Sequence, residues 1–319
     1  MIAFAIGQNG AFLKTIDGGA NWQILSSGTT QNLNRINFFE NNKGWVIGDE
    51  DFMLKTTDNG QTWNSTNTNI TINGGLKLDL QDISFINQSI GYIVDKGNSL
   101  MKTIDGGISW SLSNRFFTSF GLPDVSQINK IEFKNNKGFL VGAFGAIVNT
   151  IDGGTTWATK SRSSSNDLND AQFIDNNIVV AIGDDGELLR SLDNGKTWTA
   201  PSNSGLTNND WINGIYFISQ FEGWAADSDG DIFKSTNGGS TWSKQRTKNQ
   251  SEYLFDIFFK NSITGFAIGS NGLLLKTSDG GLNWTNLASG TSNRLTSVCF
   301  TASDTGYVAG HSGTILKTT

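Results

Sequence analysis

The chain is a succession of short runs in which apolar and polar residues alternate, each closed off by Gly, Asn or Asp. One kind of run contains a phenylalanine near its end and occurs seven times, as "LNRINFF", "LQDISFI", "INKIEFK", "LNDAQFI", "INGIYFI", "LFDIFFK" and "LTSVCFT". A second kind follows it ("GWVIG", "GYIV", "GFLVG", "GWAA", "GYVAG"), and after a tight glycine turn comes a third, such as "FMLKT". That third run enters the segment Ser/Thr-x-Asp-x-Gly-x-x-Trp, at 15–22, 56–63, 103–110, 150–157, 191–198, 235–242 and 277–284, and a fourth run opens at its tryptophan. Period-two alternation between turn-forming residues predicts strands and hairpins, and no segment sustains a helical period. The corner residues Asp17, Asp58, Asp105, Asp152, Asp193, Asn237 and Asp279 stand 41, 47, 47, 41, 44 and 42 residues apart. Four antiparallel strands in each such interval predict an all-β fold, a β-propeller of four-stranded blades spanning 1–319 as one domain.

The repeated corner has a structural explanation. An aspartate there can accept hydrogen bonds from backbone N–H groups of its own turn. The fifth position is glycine in all seven copies, which suggests a backbone angle that a Cβ penalises. The tryptophans, Trp22, Trp63, Trp110, Trp157, Trp198, Trp242 and Trp284, are then aimed at a neighbouring sheet. Burying one indole is worth roughly 4–6 kcal/mol at best.

These residues resemble the Asp-box, or BNR, repeat. The longer frame from the second run through "LKTIDGGANW" is similar to the Ycf48-like family, named after the photosystem II assembly factor, over essentially the whole chain. The resemblance implies that the corners join the third and fourth strands, on the face opposite a ligand site. It implies fold more specifically than function, because the family includes assembly factors and many uncharacterised bacterial proteins.

Counting runs predicts thirty strands: seven first, eight second, eight third and seven fourth. Seven blades leave a hairpin over; eight lack one innermost and one outermost strand. Because an absent innermost strand leaves an open edge, seven is favoured and eight is the alternative.

Composition narrows the partners. The net charge of −6 disfavours nucleic acid, which is gripped by basic patches. No run approaches the roughly 20 apolar residues of a spanning helix, so direct membrane insertion is not expected. The single cysteine, Cys299, is silent about redox compartment. No signal peptide is visible, yet Asn-x-Ser/Thr triplets at Asn64, Asn69, Asn87, Asn249 and Asn283 favour a secreted protein, extracellular or in the cell envelope. No cofactor is expected.

Where the repeats differ, a site is expected. From corner tryptophan to the next phenylalanine the spacing is 16 residues in four repeats, against 22, 23 and 19 after Trp63, Trp110 and Trp198. Insertions therefore collect in the crossover between blades, opposite the corners. The most conspicuous is "SNRFFTSFGLPDV", where Arg115, Phe116, Phe117 and Phe120 either meet a partner or fold back over a gap beside the third and fourth blades. Arg35, Trp211, Tyr253 and Arg294 begin first strands and are expected around the channel mouth; the family resemblance implies arginine-bearing surfaces that grip partners. Acids in the turns between second and third strands read as solvated. Asp227, Asp229 and Asp231 are weak metal candidates, since their glycine is misplaced for an EF-hand.

The expectation is a non-catalytic scaffold, not an enzyme. It binds a protein, or a glycan, through the face opposite the corners, as part of a larger extracellular, envelope or membrane-associated assembly. The alternatives are a sialidase-like glycoside hydrolase or a purely structural module. Hydrolysis needs two carboxylates across a cleft, and a sialidase needs several converging arginines. The chain has six arginines, of which Arg190 belongs to a blade body, and its one histidine, His311, supports neither a metal cluster nor a triad.

Overall fold

The computed structural model describes all residues except 1, 19, 40–41, 72–74, 98, 116–126, 160–165, 248–251, 301–304 and 319. The chain divides into two compact units, Met1–Asp17 with Asn21–Thr159, and Gly18–Ala20 with Lys160–Thr319. In the first unit, sheet 1 holds β1 (Ala3–Ile6), β2 (Phe12–Thr15) and β3 (Gln23–Ile24). Sheet 2 holds β4 (Leu33–Phe39), β5 (Lys43–Gly48), β6 (Met53–Thr56) and β7 (Asn64–Thr66). Sheet 3 follows with β8 (Leu80–Phe85), β9 (Gly91–Asp95), β10 (Ser99–Thr103) and β11 (Ser111–Arg115), and sheet 4 with β12 (Ile128–Lys134), β13 (Lys137–Gly142), β14 (Ala146–Thr150) and β15 (Ala158–Thr159).

In the second unit, sheet 5 holds β16 (Leu168–Phe173), β17 (Val179–Gly183) and β18 (Leu188–Ser191), with a single bridge from Arg190 to Thr199 where a fourth strand is expected. Sheet 6 holds β19 (Ile212–Phe217), β20 (Gly223–Asp227), β21 (Ile232–Ser235) and β22 (Ser243–Arg246). Sheet 7 holds β23 (Leu254–Phe259), β24 (Gly265–Gly269), β25 (Leu274–Thr277) and β26 (Thr285–Asn286); sheet 8 holds β27 (Leu295–Phe300), β28 (Gly306–Gly310) and β29 (Ile315–Thr318). Every pairing is antiparallel between chain neighbours, the blade of a β-propeller.

There are eight blades, and the expectation of seven is corrected. The first and last runs do not merge into one sheet: β1–β3 and β27–β29 are separate three-stranded sheets. Sheet 1 begins at a second strand and sheet 8 ends at a third; among the described residues twenty-nine of the thirty expected strands form, the missing one being the fourth of sheet 5.

Burial follows the alternation. Second strands in sheets 2 to 7 are buried, as in β20 (GWAAD), apart from the part-exposed Lys43 and Lys137 that open β5 and β13, because each lies between two strands of its sheet. First strands alternate, as in β8, where Leu80, Asp82, Ile83 and Phe85 are buried. Each of the seven first strands also carries a register shift after its first residue, for example between Leu80 and Asp82. Such bulges re-aim the next side chain. Asp82 uses this to reach sideways: it accepts hydrogen bonds from its neighbour Ile83 N–H (3.0 Å) and from Ile131 N–H of the next blade (3.1 Å). Asp170 bonds Ile215 N–H (3.1 Å) and Asp256 bonds Val298 N–H (2.9 Å) in the same way. One buried carboxylate thus satisfies backbone donors of two adjacent sheets, which fixes their spacing.

Candidate functional site

Antiparallel blades have two ends, and the structure builds them differently. At one end the corners repeat almost identically. The Thr15, Thr56, Thr103, Thr150 and Thr277 hydroxyls, and that of Ser191, donate to the aspartate two residues on at 2.7–2.9 Å; Ser235 does so to Asn237 at 3.1 Å. The same carboxylates accept the backbone N–H four residues later, as Asp152 does from Thr156 (2.9 Å). Side-chain and backbone donors from Thr62 hold the Asp58 carboxyl down at about 2, and Asp279 is held at about 2 by Asn283. The fifth-position glycine is left-handed, with φ of +76° at Gly154, where an added Cβ would stand 2.2 Å from the Tyr92 Oη.

That contact joins blades. Tyr92 belongs to sheet 3 and donates to the Gly153 carbonyl of sheet 4 (2.7 Å). Third-strand cations do the same: Lys14 to Gly60 (2.6 Å), Lys55 to Gly106 (2.7 Å), Arg190 to Gly238 (2.7 Å) and Lys234 to Gly280 (3.1 Å). Trp45 stacks on Phe85 at 4.1 Å and Trp224 on Phe259 at 3.5 Å, each across two blades. The corners at 56–63, 103–110, 150–157, 235–242 and 277–284 are thereby latches on the preceding blade.

The other end carries the turns between second and third strands and the crossovers. Here the residue just before the first strand is bonded by a turn of its own blade. Ser228 N–H donates to the Trp211 carbonyl (2.7 Å), Ser270 N–H to that of Tyr253 (2.9 Å), and His311 N–H to that of Arg294 (2.8 Å). This one position therefore presents Trp211, Tyr253 and Arg294 on three successive blades of the second unit. Trp211 is 51% exposed and Tyr253 48%. The exposed Arg294 guanidinium lies 4.1 Å from the centre of the Phe255 ring. Beside Tyr253 an open cleft of about 590 Å³ is lined by Glu252, the turn 270–273 and residues 286–292. In the first unit the same position holds Asn32, Asp79 and Gln127, a polar set.

Only some of the turn acids are the solvated groups expected: Glu50 is exposed and Asp49, Asp184, Asp185, Glu187 and Asp229 are part-exposed, but four are not. Asp51, Asp95, Asp227 and Asp231 are all buried. Asp51 ties its turn to the crossover after β7, accepting from the Thr68 N–H (3.0 Å) and hydroxyl (2.6 Å), while Asp95 closes its own loop by accepting from Ser99 N–H (2.5 Å). Lys96, Asn34 and Asn32 hold the Asp49 carboxyl below its usual value against the opposing effect of burial. Of the metal candidates, Asp227 and Asp231 come together, but with Asp210 in place of Asp229. Burial, with Asp210, Asp231 and Asp229 nearby, pushes the Asp227 carboxyl up to about 7.

The remaining candidates divide. Arg35 is exposed and its Nε pairs with Asp82 at 3.0 Å, so it is tied into the blade junction. The backbone of Arg115 ends β11, while Phe116, Phe117 and Phe120 lie outside the described residues. Two functional candidates were not singled out from sequence. Lys244 reaches Asp231 across β21 and β22, and Arg246 pairs with Glu252 and donates to the Gly230 carbonyl (2.6 Å). Both contacts depend on strand register and blade packing, which spacing alone does not reveal.

Latched blades of three or four antiparallel strands define a repeat β-propeller. The chain belongs to the photosynthesis system II assembly factor YCF48 family, whose model matches residues 2–78, 68–163, 113–199, 207–278 and 241–319. The photosystem II assembly lipoprotein Ycf48 of Synechococcus sp. (strain CC9902) is 35% identical over 63 residues, 19% of this chain and 19% of that protein. This match spans about a fifth of the relative's length. The structure of YCF48 from Cyanidioschyzon merolae aligns over 90% of this chain and 95% of its own, at 23% identity and TM-score 0.68. YCF48 bound to D1 peptide aligns over 90% and 93%, at 21% and 0.66. The expected secreted, extracellular or envelope location is overturned, because the family takes its name from an assembly factor of photosystem II and this relative is a photosystem II assembly lipoprotein.

Proposed function

We propose that the protein is a non-catalytic binding propeller, an assembly-factor scaffold that holds an extended segment of a partner protein against Trp211, Tyr253 and Arg294. The observation that carries this reading is the repetition of one backbone position on three adjacent blades, each time with an interface-type side chain. Exposed aromatics beside an arginine are the groups from which interface hot spots are built. Arg294, stacked on Phe255, keeps its fork pre-oriented for a partner carboxylate. The similarity to a YCF48 bound to D1 peptide supports a peptide rather than a glycan as occupant.

The test is a peptide-display selection on the folded protein, with Trp211→Ala/Tyr253→Ala as the counter-selected control and a labelled D1 peptide as the first defined ligand. Selected peptides are expected to carry acidic residues and to lose at least about tenfold in affinity on the double variant. Equal capture by both proteins would remove this row from the site.

A further inference from the structure

Beneath Trp211, unit 2 brings three carboxylates to one point. Asp210, Asp227 and Asp231 are 4%, 0% and 5% exposed, and one carboxylate oxygen of each lies within 4.8 Å of the others. Asp210 is oriented by the Thr207 N–H (2.6 Å) and hydroxyl (2.8 Å) on its Oδ2. Asp227 Oδ1 accepts from Asp229 N–H (2.5 Å), while its Oδ2 is buried with no hydrogen-bond partner. Among the described residues the cation paired with the cluster is Lys244, whose Nζ stands 2.5 Å from Asp231 and 3.7 Å from Asp210. A single ammonium offsets one of three negative charges, and a buried carboxylate oxygen left unpaired is costly. Lys244 is also removable: its side chain is 40% exposed, and it lies 5.1 Å from the Phe233 ring centre, on the last strand of the blade.

We propose that Asp210, Asp227 and Asp231 form a binding site for one hard divalent cation, calcium or magnesium, with the Lys244 ammonium as the group it displaces. Oxygens up to 4.8 Å apart match a cation that sits about 2.3–2.6 Å from each, as calcium does. Water completes the shell through the side Lys244 vacates. The bound ion cross-links the crossover carrying Asp210 to the 227–231 turn, and so braces the backbone of Trp211, which that same turn already bonds through Ser228.

Isothermal titration of the chelator-treated protein with calcium and with magnesium at pH 8 tests this. The expected result is saturable binding of one ion, weakened at least ~30-fold in Asp227→Asn and tightened at least ~10-fold in Lys244→Met, where the internal competitor is gone. Asn has the shape of a protonated carboxyl, so Asp227→Asn is expected to fold, and circular dichroism is the check on that. No saturable binding of either ion in wild type and Lys244→Met up to roughly 10 mM, weaker than extracellular calcium modules, overturns the proposal. So does binding unchanged by Asp227→Asn.

Discussion

The two ends of a blade share the same four strands yet spend their polar groups in opposite ways. At the corner end each corner aspartate described is used inside its own turn, and every third-strand cation described above goes to a carbonyl of the next corner. Asp152 serves Thr150 and Thr156, while Tyr92 and the glycine at 154 interlock two blades. At the turn end the solutions differ from blade to blade. Three-residue helical turns with a left-handed centre (Asn9, Phe144, Asp185, Asn271 and Ser312) serve five blades, and acid-centred loops at Asp51, Asp95 and Asp227 serve three. An end that must reproduce one inter-blade latch has no freedom to vary; an end whose loops are closed by different contacts on each blade can carry different side chains there.

The largest effect should come from breaking a latch. Trp45 is fully buried and stacked on Phe85, and Trp45→Ala is expected to cost ~3–5 kcal/mol in denaturant unfolding while leaving the affinity of the folded fraction intact. Next comes the glycine that permits the close approach. Gly154→Ala places a Cβ against the Tyr92 Oη in a left-handed backbone, and a loss of ~2–4 kcal/mol is expected. If either change lowered ligand affinity with stability unaltered, the division between the two ends would collapse.

Titration separates the ends in opposite directions. Asp227 has a folded value raised to about 7, so folding retains its proton and this contribution fades as pH rises from about 4 to about 7. In chelated buffer Asp227→Asn should therefore raise the melting temperature at pH 8 and change it little at pH 4. The corner aspartates run the other way. Their folded values are depressed, to about 2 at Asp58 and Asp152, so their contribution is complete above about pH 4 and is lost as pH falls towards 2. Asp152→Asn should flatten the acid limb of stability between those limits without touching the limb governed by Asp227. Smallest of all, Trp211→Ala/Tyr253→Ala should shift stability by no more than about 0.5 kcal/mol, because exposed groups on formed loops add little to folding.

The strands, the corners and the end at which variation collects were legible along the chain, since each depends on local alternation, turn chemistry and spacing. The alignment of Trp211, Tyr253 and Arg294 was half legible: each visibly precedes a first strand, but their consecutive placement on one backbone position emerges only once blades are stacked. Lys244 beside Asp231, and Asp210 in place of Asp229, were not legible at all. Those contacts cross strands and loops 13 to 21 residues apart, and cross-strand register decides them.

What the amino-acid order determined by itself is therefore the repeating unit: four short strands, a carboxylate-closed corner, a glycine that only a left-handed turn requires. What tertiary structure alone decided is how units are counted and joined. The first and last runs became separate sheets, making eight blades, because backbone pairing, unlike hydrophobic period, is a property of two segments at once. The same reason explains the buried acids at the turns. A side chain's solvation depends on what packs over it, and for Asp227 that includes residues from a crossover and an outer strand that its own turn cannot specify.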